Sequence, residues 1–597
     1  MRRPGTRAAI LPVLLPAALA AVSTACLRGR LPEADLILTH GVVHAVAADD
    51  RPASAIAVRG GRLLAVGDDA TILRHRGSTT PVIDLKGAIV VPGFIDTDVH
   101  LLGVGEALVN EATGGSLYLD LGDSESEEDV VQRVRTRARA AAPGEWVLGK
   151  GWSQERWTRK DLPDKRLLSD IVQSNPAFLL RADGQTAWVN HKALEAAGIN
   201  ARTPDPPGGR IVRAPRSGEP SGILLGRALE PVFRRLPPLG DDDRAAAVGQ
   251  ALRRFAAYGC TLVQSAASLD RLGLVDLGAK GDAATLLFRA LAIAGGLPIR
   301  VSLLVPAPSE AAEALVQRGP EAAGEDGRLD VQTIVLFADG GFDSRGAALL
   351  APYADDAGVS GPLWMTREEI ASWAARGLRR GLQVAVRAGG DAAVRAAAEG
   401  FAAGLALAPG ADARFRIEGL ALFDPADLPT LARLRTIASV RPALLAIAIQ
   451  SGGSSAPLEE RRLGTERAGR LDAFGTLLEA GVPLAAGSGS SDRPVPPLLG
   501  FYAAVTRRGP DGLPAGGWHP EQRLERPEAL RLFTLGAAYA AAREKEAGSL
   551  EPGKWADFVV LSQDILTVPE DRILKTEVLA TYVAGREVYR KERPAGP

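Results

Sequence analysis

Cysteine is almost missing from this 597-residue chain, which carries only Cys26 and Cys260. That excludes a disulfide scaffold and any zinc cluster built on thiolates. Histidine is scarce as well: His40, His44, His75, His100, His191 and His519 are the full set. An imidazole-based metal centre must draw its ligands from these six, and none lies between His191 and His519. Positive charge is not concentrated either. The net charge is −1 and no long basic run occurs, which argues against a nucleic-acid partner. Beyond the N-terminal segment no apolar run reaches the roughly 18 residues that read as a membrane-spanning helix.

What is present is a globular composition, 46% hydrophobic and 24% charged. The length exceeds one small core and suits a large barrel with a second unit. The N-terminus has the marks of a targeting segment. Arg2, Arg3 and Arg7 precede an apolar stretch from Ala8 to Val22, and small residues then lead to a cysteine in "STAC", Ser23 to Cys26. Residues 1–26 are therefore expected to be a signal peptide resembling that of a lipoprotein, although Ser23 stands where such boxes usually have leucine. The expected outcome is an exported protein, anchored to the membrane by lipid on Cys26, with plain secretion to the periplasm as the alternative.

Short apolar runs broken by glycine, such as "ADLILTHGVV" and "AIAVRGGRLLAVG", mark strands near the start. "KWADFVVLSQDIL" and "VLATYVAGREVY" echo them near the end. Residues 33–88 and 545–590 are expected to form one small β-sandwich. Between them, over 89–540, strand-like runs ("CTLVQSA", "RVSLLVP", "QTIVLFADG", "RTIASVRP") alternate in part with Ala- and Arg-rich helical stretches. This rhythm predicts an α/β fold, a (β/α)8 TIM-type barrel. The stretch 116–235, richer in Trp, Pro and Gly, breaks the rhythm and reads as an α/β insertion.

The first barrel strand ends in "IVVPGFIDTDVH", Ile89 to His100. Alternate residues of a strand point to one side, so Asp98 and His100 have the spacing of two ligands for one ion. Taken with "DLKGAIVVPGFID", "LRADGQTAWVNHKALEAAGI", "LFADGGFDSRGAALLAPYADD", "RFRIEG" and "GSLEPGKWADFVVLS", the chain resembles the amidohydrolase superfamily, specifically amidohydrolase family 3. The resemblance implies a barrel metal-dependent hydrolase of non-peptide carbon–nitrogen bonds, with its site at the C-terminal mouth. There a metal would polarise the scissile carbonyl and activate water, and an aspartate would handle the proton.

Carried over residue by residue, most of that machinery is missing. The family's first strand-1 histidine falls on Asp98, and the second on His100. The lysine falls on Val335 and the two later histidines on Arg387 and Gly419. The acid/base aspartate falls on Gly489. The inserted segment's "DGH" reads "DGQ", ending in Gln185, and a family "VHD" reads "VQS", with Gln264 and Ser265. Valine and glycine offer no lone pair, and a guanidinium repels a cation. One His and one Asp fall below the three or four protein ligands of catalytic zinc.

Two readings follow. The first is a pseudo-hydrolase that binds a small molecule or a partner and needs no cofactor. The second is an active hydrolase with one zinc or iron ion on Asp98 and His100, helped by Glu418 or Asp492. Under the first reading, Asp98 is expected to form an ion pair with Arg387 across the former metal site, with His100 hydrogen-bonded alongside. Trp152, Gln154, Gln185, Asp339, Arg345 and Arg387 are candidates for lining the ligand pocket, as are Trp157 and Trp188. For the tryptophans burial in the core competes with that role, and for Asp339 the shaping of a strand-to-loop turn does.

Overall fold

The structure, a computed structural model, describes residues 31–47, 52–267, 282–324, 327–452 and 458–592. The expected signal peptide and Cys26 lie outside the described residues.

Eight parallel strands make the barrel: β1 (Phe94–Val99), β2 (Cys260–Ala266), β3 (Arg300–Pro306), β4 (Leu329–Phe337), β5 (Gln383–Arg387), β6 (Arg416–Glu418), β7 (Ile437–Val440) and β8 (Leu484–Ala486). They are hydrogen-bonded in that order, and a parallel bridge from Val99 to Ser490 brings β8 back to β1. Every residue of β3 is buried, as near-continuous apolar strands covered on both faces should be. Helices coat the outside. In Asp241–Ala257 three aspartates fill the first turn, where they favour the helix dipole, and Val248, Ala251, Leu252 and Phe255 face inward. The helix Leu101–Ala112 contributes to the same apolar core, and its contact with Asp241–Ala257 is close. A Cβ added at Gly105 would stand 2.1 Å from the Ala247 carbonyl oxygen. The helix Arg367–Arg379 starts on a capping box between Thr366 and Glu369.

The insertion between β1 and β2 is a separate six-stranded sheet, in the order Gly209–Arg213, Pro220–Gly226, Thr186–Val189, Ala177–Arg181, Val147–Trp152, Leu119–Asp120. Its packing corrects one expectation. Trp152 is fully buried, its ring stacks on Trp157 at 5.7 Å and meets Trp188 edge-on at 6.0 Å, and its indole N–H donates to the Leu179 carbonyl. These three rings form a core and not a pocket wall, because each gains more by packing together than by facing a wet cavity.

Two further sheets make the sandwich. One joins Arg62–Gly67, Ala55–Arg59, Leu36–Thr39 and Val82–Asp84. The other joins Val42–Val43 and Ile89–Pro92 to Phe558–Leu561, Val578–Val583 and Arg586–Arg590, so both ends of the chain share one sheet. A buried ion pair ties barrel to sandwich. Arg300 of β3 donates through Nε and Nη2 to the two oxygens of Asp557, at 2.7 and 3.1 Å. Asp557 also accepts the Ala584 N–H, and the Trp555 ring lies 3.6 Å from the guanidinium carbon.

Candidate functional site

In a parallel barrel all the strand ends open at one mouth. Here β1 delivers Asp98 and His100, β5 Arg387, β6 Glu418 and Gly419, β7 Arg441, and β8 the loop Gly487 to Ser491. Backbone bonds hold these ends together. The Gly489 N–H donates to the Asp98 carbonyl, the His100 N–H to the Ser490 carbonyl, and the Gly419 N–H to the Ser439 carbonyl. Val335, on β4, is buried in a small apolar cluster with Leu304, Phe337 and Ala385.

The partner of Asp98 is Arg441, which corrects the expected pair with Arg387. The Arg441 Nε donates to Asp98 Oδ2 at 2.6 Å, and Nη2 lies 2.5 Å from the same oxygen. The reason is space. A Cβ built on Gly419 would fall 2.5 Å from Cζ of Arg441, and one on Gly489 would fall 2.6 Å from Cδ1 of Leu444 and 3.0 Å from Cδ of Arg441. The two positions that would carry a histidine and the catalytic aspartate in the family have no side chain, and the Arg441 side chain runs through the room they leave. Both glycines also have positive φ, at +65° and +67°, where a side chain would strain the backbone.

The electrostatics follow from this packing. Burial pushes the Asp98 carboxyl up, but Arg441, then Arg387 and His100, outweigh it and hold it well below the usual carboxylate range. Burial lowers His100 to about 4; Asp98 opposes this, while Arg387 and Arg441 add to it, so the imidazole is neutral at neutral pH. Burial and Arg441 bring Arg387 down to about 10, which leaves it charged.

These residues do not fit a divalent cation. Asp98 is taken by Arg441. Glu418 lies 2.5 Å from the buried Arg416, and Asp492 lies 3.6 Å from Lys150. Among the described residues, no group of three or more His, Cys, Asp or Glu side chains is placed to hold a metal. A cation at the mouth would sit against two guanidinium groups.

The mouth instead opens into two adjoining cavities, of about 160 and 240 Å³, and Arg387, Gln185, Asp183 and Asp339 line both. Gln185 comes from the insertion and reaches over the barrel, where its Oε1 accepts the Gly341 N–H. Asp339 accepts backbone N–H groups from Ala348, Gly389 and Gly390, so it organises the loops after β4 and β5. Burial raises its carboxyl to about 6 against those bonds. Gln154 and Arg345 line a third, outer cavity, where Arg345 is bound to Asp355. Sequence reasoning missed Arg441. The available signal was its place directly after a barrel strand, where such folds put their working residues. It also missed Phe337 and Trp364, which wall the smaller cavity.

Comparison with known proteins agrees with this architecture. The model of the Amidohydrolase family matches residues 81–589. Protein LONG AFTER FAR-RED 3 of Arabidopsis thaliana is 31% identical over 563 residues, covering 93% of this chain and 92% of its own. An N-substituted formamide deformylase of Arthrobacter pascens is 27% identical, covering 94% and 98%. The crystal structure of an uncharacterized metal-dependent hydrolase from Pyrococcus horikoshii OT3 superimposes with a TM-score of 0.69 at 25% identity, over 90% of this chain and 99% of that one. With a closed parallel barrel, a sandwich shared by both ends and a family match running through both, the chain belongs to the amidohydrolase family.

Proposed function

We propose that this protein is a pseudo-hydrolase, which binds a small molecule at its barrel mouth without metal catalysis and is held at the membrane through lipid on Cys26. The observation that carries the first part is the Arg441 side chain lying where the Gly419 and Gly489 side chains would otherwise stand. A site that keeps its barrel and loops while an arginine salt bridge replaces its ligands is built to bind, and the cation that would activate water has no seat. The membrane part rests on the order Arg2-Arg3, apolar stretch, small residues, Cys26.

A second reading is an active hydrolase of non-peptide carbon–nitrogen bonds with a reduced metal site. The similarity to an N-substituted formamide deformylase over nearly the full length of both chains favours it. One experiment separates the two. Protein purified without added metal is assayed for zinc and iron, and the same preparation is screened on N-acyl amino acids, cyclic amides and N-substituted formamides. The pseudo-hydrolase reading expects metal far below one ion per chain and no turnover, before or after added zinc. Stoichiometric metal, or turnover abolished by a chelator, would overturn it. Mass spectrometry of the mature N-terminus tests the anchor: an unmodified Cys26, or cleavage elsewhere, rules it out.

A further inference from the structure

The guanidinium of Arg387 stands at the junction of the two mouth cavities and lines both. The carboxylates that line the mouth beside it are engaged elsewhere: Asp98 by Arg441, Glu418 by Arg416, Asp183 by Arg181, and Asp339 by its three backbone N–H groups. Among the described residues Arg387 makes no side-chain hydrogen bond or ion pair. A guanidinium carries five N–H donors in a flat fork, and here, with the side chain partly exposed to the cavities, only solvent or a ligand is left to meet them. The fork matches a carboxylate with two parallel bonds.

The surroundings narrow the ligand further. The smaller cavity has apolar walls from Leu229, Phe233, Phe337 and Trp364, and the Glu230 on its wall is paired with Arg227. The larger one carries Asp343, Glu459 and Asp472 on its wall. Extra negative charge on a ligand would meet those acids, so a single charge with an apolar body fits better than a phosphate dianion.

We infer that Arg387 is the anchor of a binding site for a small monocarboxylate with an aryl or branched alkyl body, its carboxylate on the guanidinium and its body against Phe233, Phe337 and Trp364. This deepens the pseudo-hydrolase reading and rests on it for the absence of metal. The full chain, prepared without added metal, is titrated by calorimetry with 3-phenylpropionate, with its neutral amide 3-phenylpropionamide, and with inorganic phosphate. The carboxylate is expected to bind at least tenfold more tightly than the amide or phosphate. Arg387→Gln should weaken it at least tenfold, and Arg387→Lys less. Circular dichroism and thermal melting establish that each variant folds. Equal binding of acid and amide, phosphate preferred over the carboxylate, no binding of any probe, or a folded Arg387→Gln that binds the acid as before would each overturn the inference. If neither Arg387 variant folds, Phe337→Ala decides: unchanged carboxylate affinity overturns the site. Metal content of the same preparation is scored separately. Stoichiometric zinc with Arg387-dependent carboxylate binding would sink the pseudo-hydrolase reading and keep the anchor, whereas a metal-free protein that binds no carboxylate would do the reverse.

Discussion

Arg441 and Asp98, 343 positions apart in the chain, meet at 2.6 Å across the barrel mouth, between the ends of β7 and β1. Both side chains are mostly buried, at 17% and 12% exposure, so the pair has little solvent to fall back on when one member is lost. Arg441→Met should therefore destabilise the protein by about 3–5 kcal/mol, since it strands a buried carboxylate. Adding Asp98→Asn should recover much of that loss. Chemical denaturation of the two single variants and the double variant measures the coupling, expected at about 1–3 kcal/mol. Additive losses would show that the two groups do not depend on each other.

Gly419 offers an independent check on where that arginine lies. Gly419→Ala places a methyl group on Cζ of Arg441 and also forces alanine into a left-handed backbone conformation. The backbone cost, about 1–2 kcal/mol, persists in any background. The collision does not, so the substitution should cost at least about 1 kcal/mol less in an Arg441→Ala protein than in the wild type. Equal costs in the two backgrounds would mean that Arg441 does not fill that space.

The buried acids set a pH dependence. Burial raises Asp96 and Glu459 to about 7, and Asp339 and Asp472 to about 6. In the unfolded chain such groups titrate near 4. Between these values the folded protein binds more protons than the unfolded one, so stability falls as pH rises from about 4 through 7. Asp98 and His100 act oppositely. The folded value of Asp98 lies below the unfolded one, so its contribution is complete above about pH 4 and is lost in acid. His100, at about 4 in the fold against about 6.5 unfolded, adds stability as pH rises between those values, one group against the four raised acids. The melting temperature should therefore be higher near pH 5 than at pH 8, and Asp472→Asn should narrow the gap by raising stability at pH 8 by up to about 3 kcal/mol. A melting temperature that climbs from pH 5 to pH 8 would contradict this assignment.

Away from the mouth, Asp557→Ala should be among the most damaging single changes in the chain. It would leave the buried Arg300 guanidinium without its two-point carboxylate and release the Ala584 N–H. The expected cost is about 3–5 kcal/mol by equilibrium denaturation. Asp557→Asn, which keeps acceptors for part of the network, should cost less. Similar values for both would place the loss in the carboxylate charge and not in packing.

The barrel strands were legible because "RVSLLVP" and "QTIVLFADG" are built around unbroken apolar runs, 303–305 and 334–338, as a doubly covered strand requires. The shared sandwich was legible from the matching strand-like runs at both ends. The site was legible in what it lost, since Val335, Gly419 and Gly489 carry no donor atoms wherever they sit. Its new wiring was not. Arg387 and Arg441 both follow from strand ends in the sequence, and charge alone cannot choose between them. The choice depends on which direction each side chain leaves its strand and on the channel left by Gly419 and Gly489, facts that exist only once the strands are side by side. Trp152 shows the same limit. An aromatic residue suits a pocket or a core equally well until its neighbours Trp157 and Trp188 arrive from elsewhere.

The sheet that joins both ends of the chain also sets a timetable. Ile89–Pro92 pairs with Phe558–Leu561, and Arg62 donates to the carbonyl of Gly553, 491 positions later. At roughly 5–20 residues per second of synthesis, the early strands wait on the order of half a minute or longer for their partners. Throughout that wait they present open, apolar edges of the kind that recruit other chains. A ribosome-bound intermediate of this protein therefore cannot finish its first domain early, and chaperone contact with residues 36–92 should persist until the last strands emerge.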